Sequence, residues 1–408
     1  IRIDLDALEA DQKDCPTSPY AQLAPVYLLS GDFQKCVAAL KSLRTEPRSK
    51  RMALQNEMLI RSRFVELLYA LGAFEPAWTR IEQIMNKPDR SGMVSYDMDL
   101  VELGNLLLGY VVGQSRLTEL KEMASVRTWT QRWAIWKQEA ALRLRLVSIG
   151  RTIRKLSASG PHLIRVIRPY MYENMMWYSL PLVEILGSGV MESALATAQS
   201  QELDLSDKAQ KMFNAFRLEI AYRRGELDRV GTWGRTVVDQ LPTGTLLLKS
   251  RLNALVADAL WRTGRGQMAA DRFAQVMNTF PTALRIQNIP LPVQLVPTGK
   301  INDEVKTALT NSIRFEVVPE SPFKIMMDPV SEGVEICLQG NKRFGCKLYN
   351  PTSEDQRLAH VIDEFVRQVF APPIELSQSD MSTLDGRAVQ GDAQSVINDL
   401  LDPRGSTP

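Results

Sequence analysis

Glycine residues that end an apolar helical stretch recur over the first two-thirds of this chain, at intervals of 37 to 41 residues. A second amphipathic stretch follows each glycine, so each interval predicts one helical hairpin with a glycine turn. A lone hairpin cannot cover its own apolar face, and stacked hairpins therefore predict a curved solenoid with a concave surface. The glycines are Gly31, Gly72, Gly113, Gly150, Gly187, Gly225 and Gly264.

The last two hairpins resemble the tetratricopeptide repeat. Gly264 is followed by Ala269, Phe273 and Pro281, at the offsets where that family has a turn glycine, a small packing residue, an aromatic residue and a terminal proline. The three middle hairpins lack the aromatic residue and the proline. The resemblance covers roughly residues 19–283 and implies a helical scaffold that binds other proteins.

The sequence pattern changes after Pro281, where the helical period gives way to a proline-bounded strand. The fold class predicted is mainly α: a tetratricopeptide-like α-α solenoid over residues 1–283, a small α+β domain over 284–373, and a flexible tail or extended arm over 374–408. The predicted elements of the small domain are a strand over 289–296, a helix over 302–311, strands over 314–318 and 324–327, a hairpin over 335–348 and a helix over 353–370.

Two motifs in the small domain suggest a second family. The passage Ser312-Ile-Arg314-Phe315-Glu316-Val317-Val resembles the amino-terminal domain of periplasmic TolB proteins and of related curli-secretion and penicillin-binding-protein-activating lipoproteins. The stretch over residues 355–365 resembles the final helix of that domain, with a shifted spacing before its aspartate. This resemblance implies a cell-envelope protein that recruits other proteins and does not catalyse a reaction.

The four cysteines form two local pairs, Cys15 with Cys36 and Cys337 with Cys346. A two-residue turn at residues 341–342 would place Cys337 directly opposite Cys346, at a spacing that a disulfide can bridge. Two disulfides would favour an oxidising compartment such as a periplasm. The alternative is that all four cysteines are buried thiols that pack as small hydrophobic residues. None of them has the spacing of a zinc site.

Composition excludes several classes of protein. Apolar residues make up 45% of the chain and charged residues 24%, as in soluble globular proteins, and the net charge of +2 gives no general affinity for polyanions. The sequence contains no run of about 18 apolar residues, so it predicts no membrane-spanning helix. His162 and His360 are the only histidines, so a catalytic triad or a metal cluster has little material. We predict no catalytic residues, metal or cofactor.

Residues 127–168 are the one strongly basic region: they contain ten basic residues and a single acidic residue, Glu139. Trp129, Trp133 and Trp136 share one helical face within it. We expect these tryptophans to be core residues beside a solvated basic face. A contact with an acidic protein or an anionic envelope surface is the alternative, and nucleic acid is disfavoured. The candidate partner-binding residues are Arg143, Arg145, Arg151, Arg154 and Lys155, with Tyr172 and Trp177 from the aromatic stretch that follows.

These features favour a non-enzymatic interaction scaffold in a bacterial envelope assembly, periplasmic or associated with the outer membrane. Its partners would be other envelope proteins, bound by the concave face and by the small domain. The chain begins at Ile1, which fits a processed protein or a fragment, so a signal peptide or lipid anchor before Ile1 would not be visible. The open alternatives are a cytoplasmic regulator and a glycan or small-ligand binding module. A hydrolase built on Asp97 with Asp99 or Glu102 is disfavoured, because these acids fit a helix N-terminus.

Overall fold

The computed structural model describes residues 19–45, 50–86, 95–157, 179–201, 207–241, 245–298, 303–351 and 358–371. Helices occupy this part of the chain up to Gln287, and a five-stranded mixed sheet with two further helices follows. The predicted fold class, mainly α followed by a small α+β unit, is therefore confirmed. No helix among the described residues is both long enough and apolar enough to cross a bilayer.

The helices that precede the sheet pack mostly against the helices next to them in sequence. They are α1 (Pro19–Ser30), α2 (Phe33–Thr45), α3 (Lys50–Ala70), α4 (Phe74–Asn86), α5 (Ser95–Ser125), α6 (Trp129–Ser157), α7 (Ser179–Leu186), α8 (Ser188–Gln201), α9 (Asp207–Arg223), α10 (Leu227–Gln240), α11 (Leu246–Arg262), α12 (Gly266–Thr279) and α13 (Thr282–Gln287).

Five of the seven predicted turn glycines do end a helix. They have positive φ angles, from 76° to 90°, a conformation that glycine adopts without steric cost. At the first of them the amide of Gly31 donates a hydrogen bond to the carbonyl of Leu28 (3.0 Å), which satisfies a carbonyl at the helix end. The five are Gly31, Gly72, Gly187, Gly225 and Gly264.

The prediction was wrong for Gly113 and Gly150, which lie inside the long helices α5 and α6. Neither glycine makes a turn, and only Gly113 lies where the packing leaves too little room for a side chain. A Cβ atom on Gly113 would come within 2.6 Å of Leu146 and 2.8 Å of Trp78, and one on Gly150 would come within 3.6 Å of Tyr110. An apolar helix followed by glycine has the same sequence pattern in both cases, so spacing alone did not separate a turn from a contact.

The two ends of the helical array meet. Helix α1 packs against α11, the rings of Phe33 and Phe280 lie 6.2 Å apart, and the Arg285 guanidinium donates to the carbonyl of Gly72 (3.2 Å). Near this junction Tyr69 of α3 is buried, and burial raises the pKa of its hydroxyl to about 12. These contacts lie where an open solenoid would have an exposed concave surface.

The small domain is a sheet with strand order β2-β1-β3-β4-β5. Strand β1 lies between β2 and β3 and runs parallel to both, while β4 and β5 continue the sheet in antiparallel pairing. Helix α15 packs against β5, and its apolar side buries Phe365 and Val366. The elements are β1 (Leu291–Pro297), α14 (Asp303–Asn311), β2 (Phe315–Val317), β3 (Lys324–Val330), β4 (Gly333–Gln339), β5 (Arg343–Tyr349) and α15 (Leu358–Val369).

The cysteines behave differently in the two predicted pairs. Cys337 and Cys346 are direct partners across β4 and β5, with Cα atoms 4.2 Å apart, and they form a disulfide. The loop between the paired residues Gln339 and Arg343 has three residues and a register shift, where two were predicted. Cys36 is a free, buried thiol, and burial raises its pKa to about 12. Its predicted partner, Cys15, lies outside the described residues.

A buried charged cluster joins the helices that precede the sheet to the small domain. We call it the α5 cluster, and its members are Arg116, Glu119 and Glu122 on α5, Arg285 on α13 and Arg314 before β2. The Arg314 guanidinium lies 2.6 Å from the Glu122 carboxylate, and Arg285 reaches Glu119 at 3.5 Å. Burial alone would raise the pKa of Glu122, but Arg314 and Arg285 outweigh burial and lower it.

Candidate protein-binding face of helix α6

Helix α6 directly follows the turn that ends α5. At its start the amide of Thr128 donates to the side chain of Gln131 (3.2 Å), which is the return bond of a capping box. Arg154 and Lys155 lie in its last turn, where cations stabilise the negative end of the helix dipole. These local features fix both ends of a helix of 29 residues.

The inner face of α6 packs on α5. Its apolar residues recur every three to seven positions and lie on one side of the helix, as 3.6-residue periodicity requires. Opposite them, Leu117 and Leu120 of α5 form a small core cluster with the α6 side chains. The buried residues of this face are Ile135, Leu142, Leu146, Ile149 and Ile153.

The opposite face of α6 is apolar and exposed. The exposed fractions are 69% for Trp129, 55% for Trp133, 74% for Leu144 and 52% for Val147. At 100° per residue these four positions fall within about 60° of one another, so they form one stripe along the helix. We call this stripe the α6 face. The prediction that the tryptophans are core residues was wrong for Trp129 and Trp133, because α6 packs on α5 through its other side.

Cationic side chains border the α6 face. The helix carries seven basic residues and one acid. The Lys137 ammonium lies 5.5 Å from the ring centre of Trp133, a cation–π contact. Arg143 is exposed and pairs with Glu139 one turn earlier. Arg151 and Lys155 are exposed as well, and neither makes an ion pair within the part of the chain that the structure describes.

The structure brings four of the seven predicted partner-binding residues to the exposed side of α6. Arg143, Arg151, Arg154 and Lys155 are exposed, and Arg154 also donates to the carbonyl of Ile185 (2.8 Å). Arg145 instead turns toward α4, where it bonds the side chain of Asn86 and lies 3.8 Å from Glu82. Tyr172 and Trp177 lie outside the described residues.

Leu144 and Val147 belong to the α6 face, but sequence reasoning missed them. Their signal was present as a second apolar stripe. Trp129, Trp133, Leu144 and Val147 lie roughly opposite the stripe that contains Leu142 and Leu146. A helix with apolar residues on two opposite sides beside many basic ones indicates one side for the fold and one side for a partner.

Among the described residues, one group of three has the ligand types that could hold a metal ion: Glu335, Cys337 and Cys346, whose ligand atoms lie within 4.8 Å of one another. Both sulfur atoms are joined in the disulfide and are not thiolate ligands. His360 is exposed and lies 3.1 Å from Glu364. The α6 face, in contrast, has apolar groups bordered by cations, the chemistry of an anchor for an acidic amphipathic segment.

Comparisons of the chain with protein-family models, with curated proteins and with solved structures gave no match.

Proposed function

We propose that this protein is a non-enzymatic scaffold in a bacterial cell-envelope assembly and that it binds an acidic partner protein through the α6 face. One observation carries the proposal: four large apolar side chains are more than half exposed along one side of a basic helix. Large apolar side chains grouped on one exposed face mark interaction surfaces in soluble proteins. Tryptophan is also among the residues that contribute most to binding energy at protein interfaces.

A protein partner fits the α6 face better than nucleic acid does. Leu144 and Val147 gain free energy when another apolar surface covers them, and a phosphate backbone offers none. The bordering cations would raise the association rate and select acidic partners. The whole chain has a net charge of +2, which is far from the strong basicity of nucleic-acid binding domains.

The envelope location rests on two supports. The disulfide between Cys337 and Cys346 fits an oxidising compartment, since cytosolic thiols are kept reduced. The motifs around Arg314 resemble a family of periplasmic and lipoprotein domains. A free thiol at Cys36 fits either compartment, because the side chain is fully buried.

The test is cross-linking and co-purification from membranes of the native organism, followed by mass spectrometry. The variant Trp133→Ser with Leu144→Ser removes the centre of the α6 face. Its control, Val190→Ser with Val330→Ser, removes two exposed apolar side chains elsewhere. We expect the first variant to lose an envelope protein that the wild type and the control both retain, with cross-linked peptides that join α6 to an acidic segment of that protein.

Other outcomes would select another function. Recovery of cytosolic partners alone would replace the envelope scaffold by a cytoplasmic regulator. Retention of nucleic acid that falls steeply with salt would assign the basic residues to phosphate contacts. Equal capture by both variants would remove the α6 face from the account and leave the scaffold without a binding surface.

A further inference from the structure

The C-terminal segment of this same chain is charged oppositely to the α6 face. Residues 374–408 contain six acidic residues and two arginines, which gives a net charge of −4. Helix α6 has seven basic residues and one acid, a net charge of +6. Opposite charges of this size favour association and orient the approach of one segment to the other.

The same segment contains a short amphipathic pattern. Val396, Ile397, Leu400 and Leu401 follow the spacing i, i+1, i+4 and i+5, which places apolar residues on one side of a helix. An aspartate precedes the stretch at a position suited to cap a helix, and Pro403 stops the pattern. Amphipathic helices of this kind dock through their apolar side into apolar surfaces.

The chain connection allows the contact. Asp363 on α15 pairs with Arg127 (2.5 Å), which lies two residues before the start of α6. From Asp363 to residue 371 the chain advances about 12 Å along a helix. The next 21 residues, 372–392, can span at most about 70 Å by chain length alone, and α6 is about 43 Å long. The amphipathic stretch can therefore reach the α6 face.

Other occupants of the α6 face are less suitable. Residues 158–178 follow α6 directly, but their net charge is +1 and a basic segment is repelled. A second copy of the chain would present the same basic helix. Residues 1–18 have a net charge of −3. They precede α1, however, and the packing partners of α1 are α2, α3 and α11. Charge, apolar spacing and chain connection agree for the C-terminal segment.

We propose that residues 393–401 dock on the α6 face of their own chain and occupy it until an acidic partner displaces them. This inference rests on the proposed function, since it assigns a regulator to the same surface. An attached segment competes at an effective concentration in the millimolar range, so a weak intrinsic contact is enough to hold the surface covered.

The experiment is carbodiimide cross-linking of the full-length protein at low concentration. This reagent joins a lysine to a carboxylate in direct contact and adds no spacer. We expect peptides from the monomer that join Lys137 or Lys155 to Asp399 or Asp402. The variant Val396→Ser with Leu400→Ser keeps every charge but removes apolar contacts, and it should lower the yield roughly tenfold. The control Ser395→Ala with Asn398→Ala changes the other side of the pattern and should keep the yield.

The inference would be overturned by no cross-link between α6 and the C-terminal segment, by cross-links found only in a dimer, or by α6 cross-linked to residues 1–18 in its place. An equal yield from both tail variants would also overturn it. The outcome is separate from that of the proposed function. Partner capture that depends on the α6 face, without a tail cross-link, removes the inference alone, whereas a tail cross-link without partner capture removes the proposed function alone.

Discussion

Helices α5 and α6 are neighbours in one hairpin, and both carry many charged side chains, but their charges meet opposite environments. On α5, Arg116, Glu119 and Glu122 are buried and paired. On α6, Arg151 and Lys155 are exposed on the same side of the helix as the exposed Leu144 and Val147. The difference depends on whether another part of the chain packs against the charged side of the helix. The small domain brings Arg314 to α5, whereas no described element covers the outer side of α6.

This contrast separates charges that hold the fold from charges that are available to a partner. A buried ion pair costs desolvation of both ions, so its presence adds little net stability, but its disruption leaves one charge buried without compensation. The α5 cluster should therefore be sensitive to loss of any member. An exposed cation on α6 is solvated, and its replacement should leave the folded state nearly unchanged.

The largest effect is expected for Glu122→Gln. The substitution leaves Arg314 and Arg285 buried opposite a neutral amide, and we expect the free energy of unfolding to fall by about 3–5 kcal/mol. Denaturant unfolding measures it. The control Glu139→Gln removes an ion pair with the exposed Arg143 and should cost less than about 1 kcal/mol. Equal losses in the two variants would mean that the α5 cluster is not a buried ion network.

The same carboxylate should make stability depend on pH. The folded-state pKa of Glu122 lies below its ordinary value of 4.5, so its contribution is present above pH 4.5 and is lost as the pH falls through the lowered pKa. Asp363 acts in the opposite direction, because burial raises its pKa against the effect of Arg127. We expect the wild type to lose more stability than Glu122→Gln between pH 5 and 3. Parallel acid profiles of the two proteins would contradict this assignment.

A smaller effect is expected where α5 packs on α6. Gly113→Ala places a methyl group within 2.6 Å of Leu146 and 2.8 Å of Trp78, whereas Gly104→Ala, in the same helix, meets no heavy atom within 4 Å. Both gain the helix preference of alanine, but only the first must displace neighbours. We expect Gly113→Ala to be less stable than Gly104→Ala by about 1–3 kcal/mol in thermal unfolding. A difference near zero would show that the hairpin is loosely packed there.

The smallest effect on stability is expected on the α6 face. Trp133→Ser with Leu144→Ser should change the free energy of unfolding by less than about 0.5 kcal/mol, because both side chains are more than half exposed. Circular dichroism during denaturation measures it. A loss of several kcal/mol would mean that these side chains belong to the fold, and the α6 face would no longer be a candidate binding surface.

Sequence reasoning succeeded where residues close together in the chain determine the local backbone structure. Glycine at a helix end predicted the positive φ of Gly31 and Gly264, and a short hairpin turn predicted that Cys337 faces Cys346, although the turn has three residues and two were predicted. It failed where the cause is a distant partner. Arg314 and Glu122 are 192 positions apart, and no local pattern shows that they are buried together. The exposure of Trp133 depends on which side of α6 contacts α5, and periodicity gave two candidate sides.

Photo-cross-linking in the native organism, with a light-activated amino acid at position 147, tests directly whether a partner binds the α6 face. The same label at position 306, an exposed site on α14, is the control. We expect an adduct with an acidic envelope protein from position 147 and none from position 306. The adduct should decrease when Trp133→Ser with Leu144→Ser is combined with the label. Identical adducts at both positions, or none at position 147, would contradict the claim that α6 has a partner-binding face.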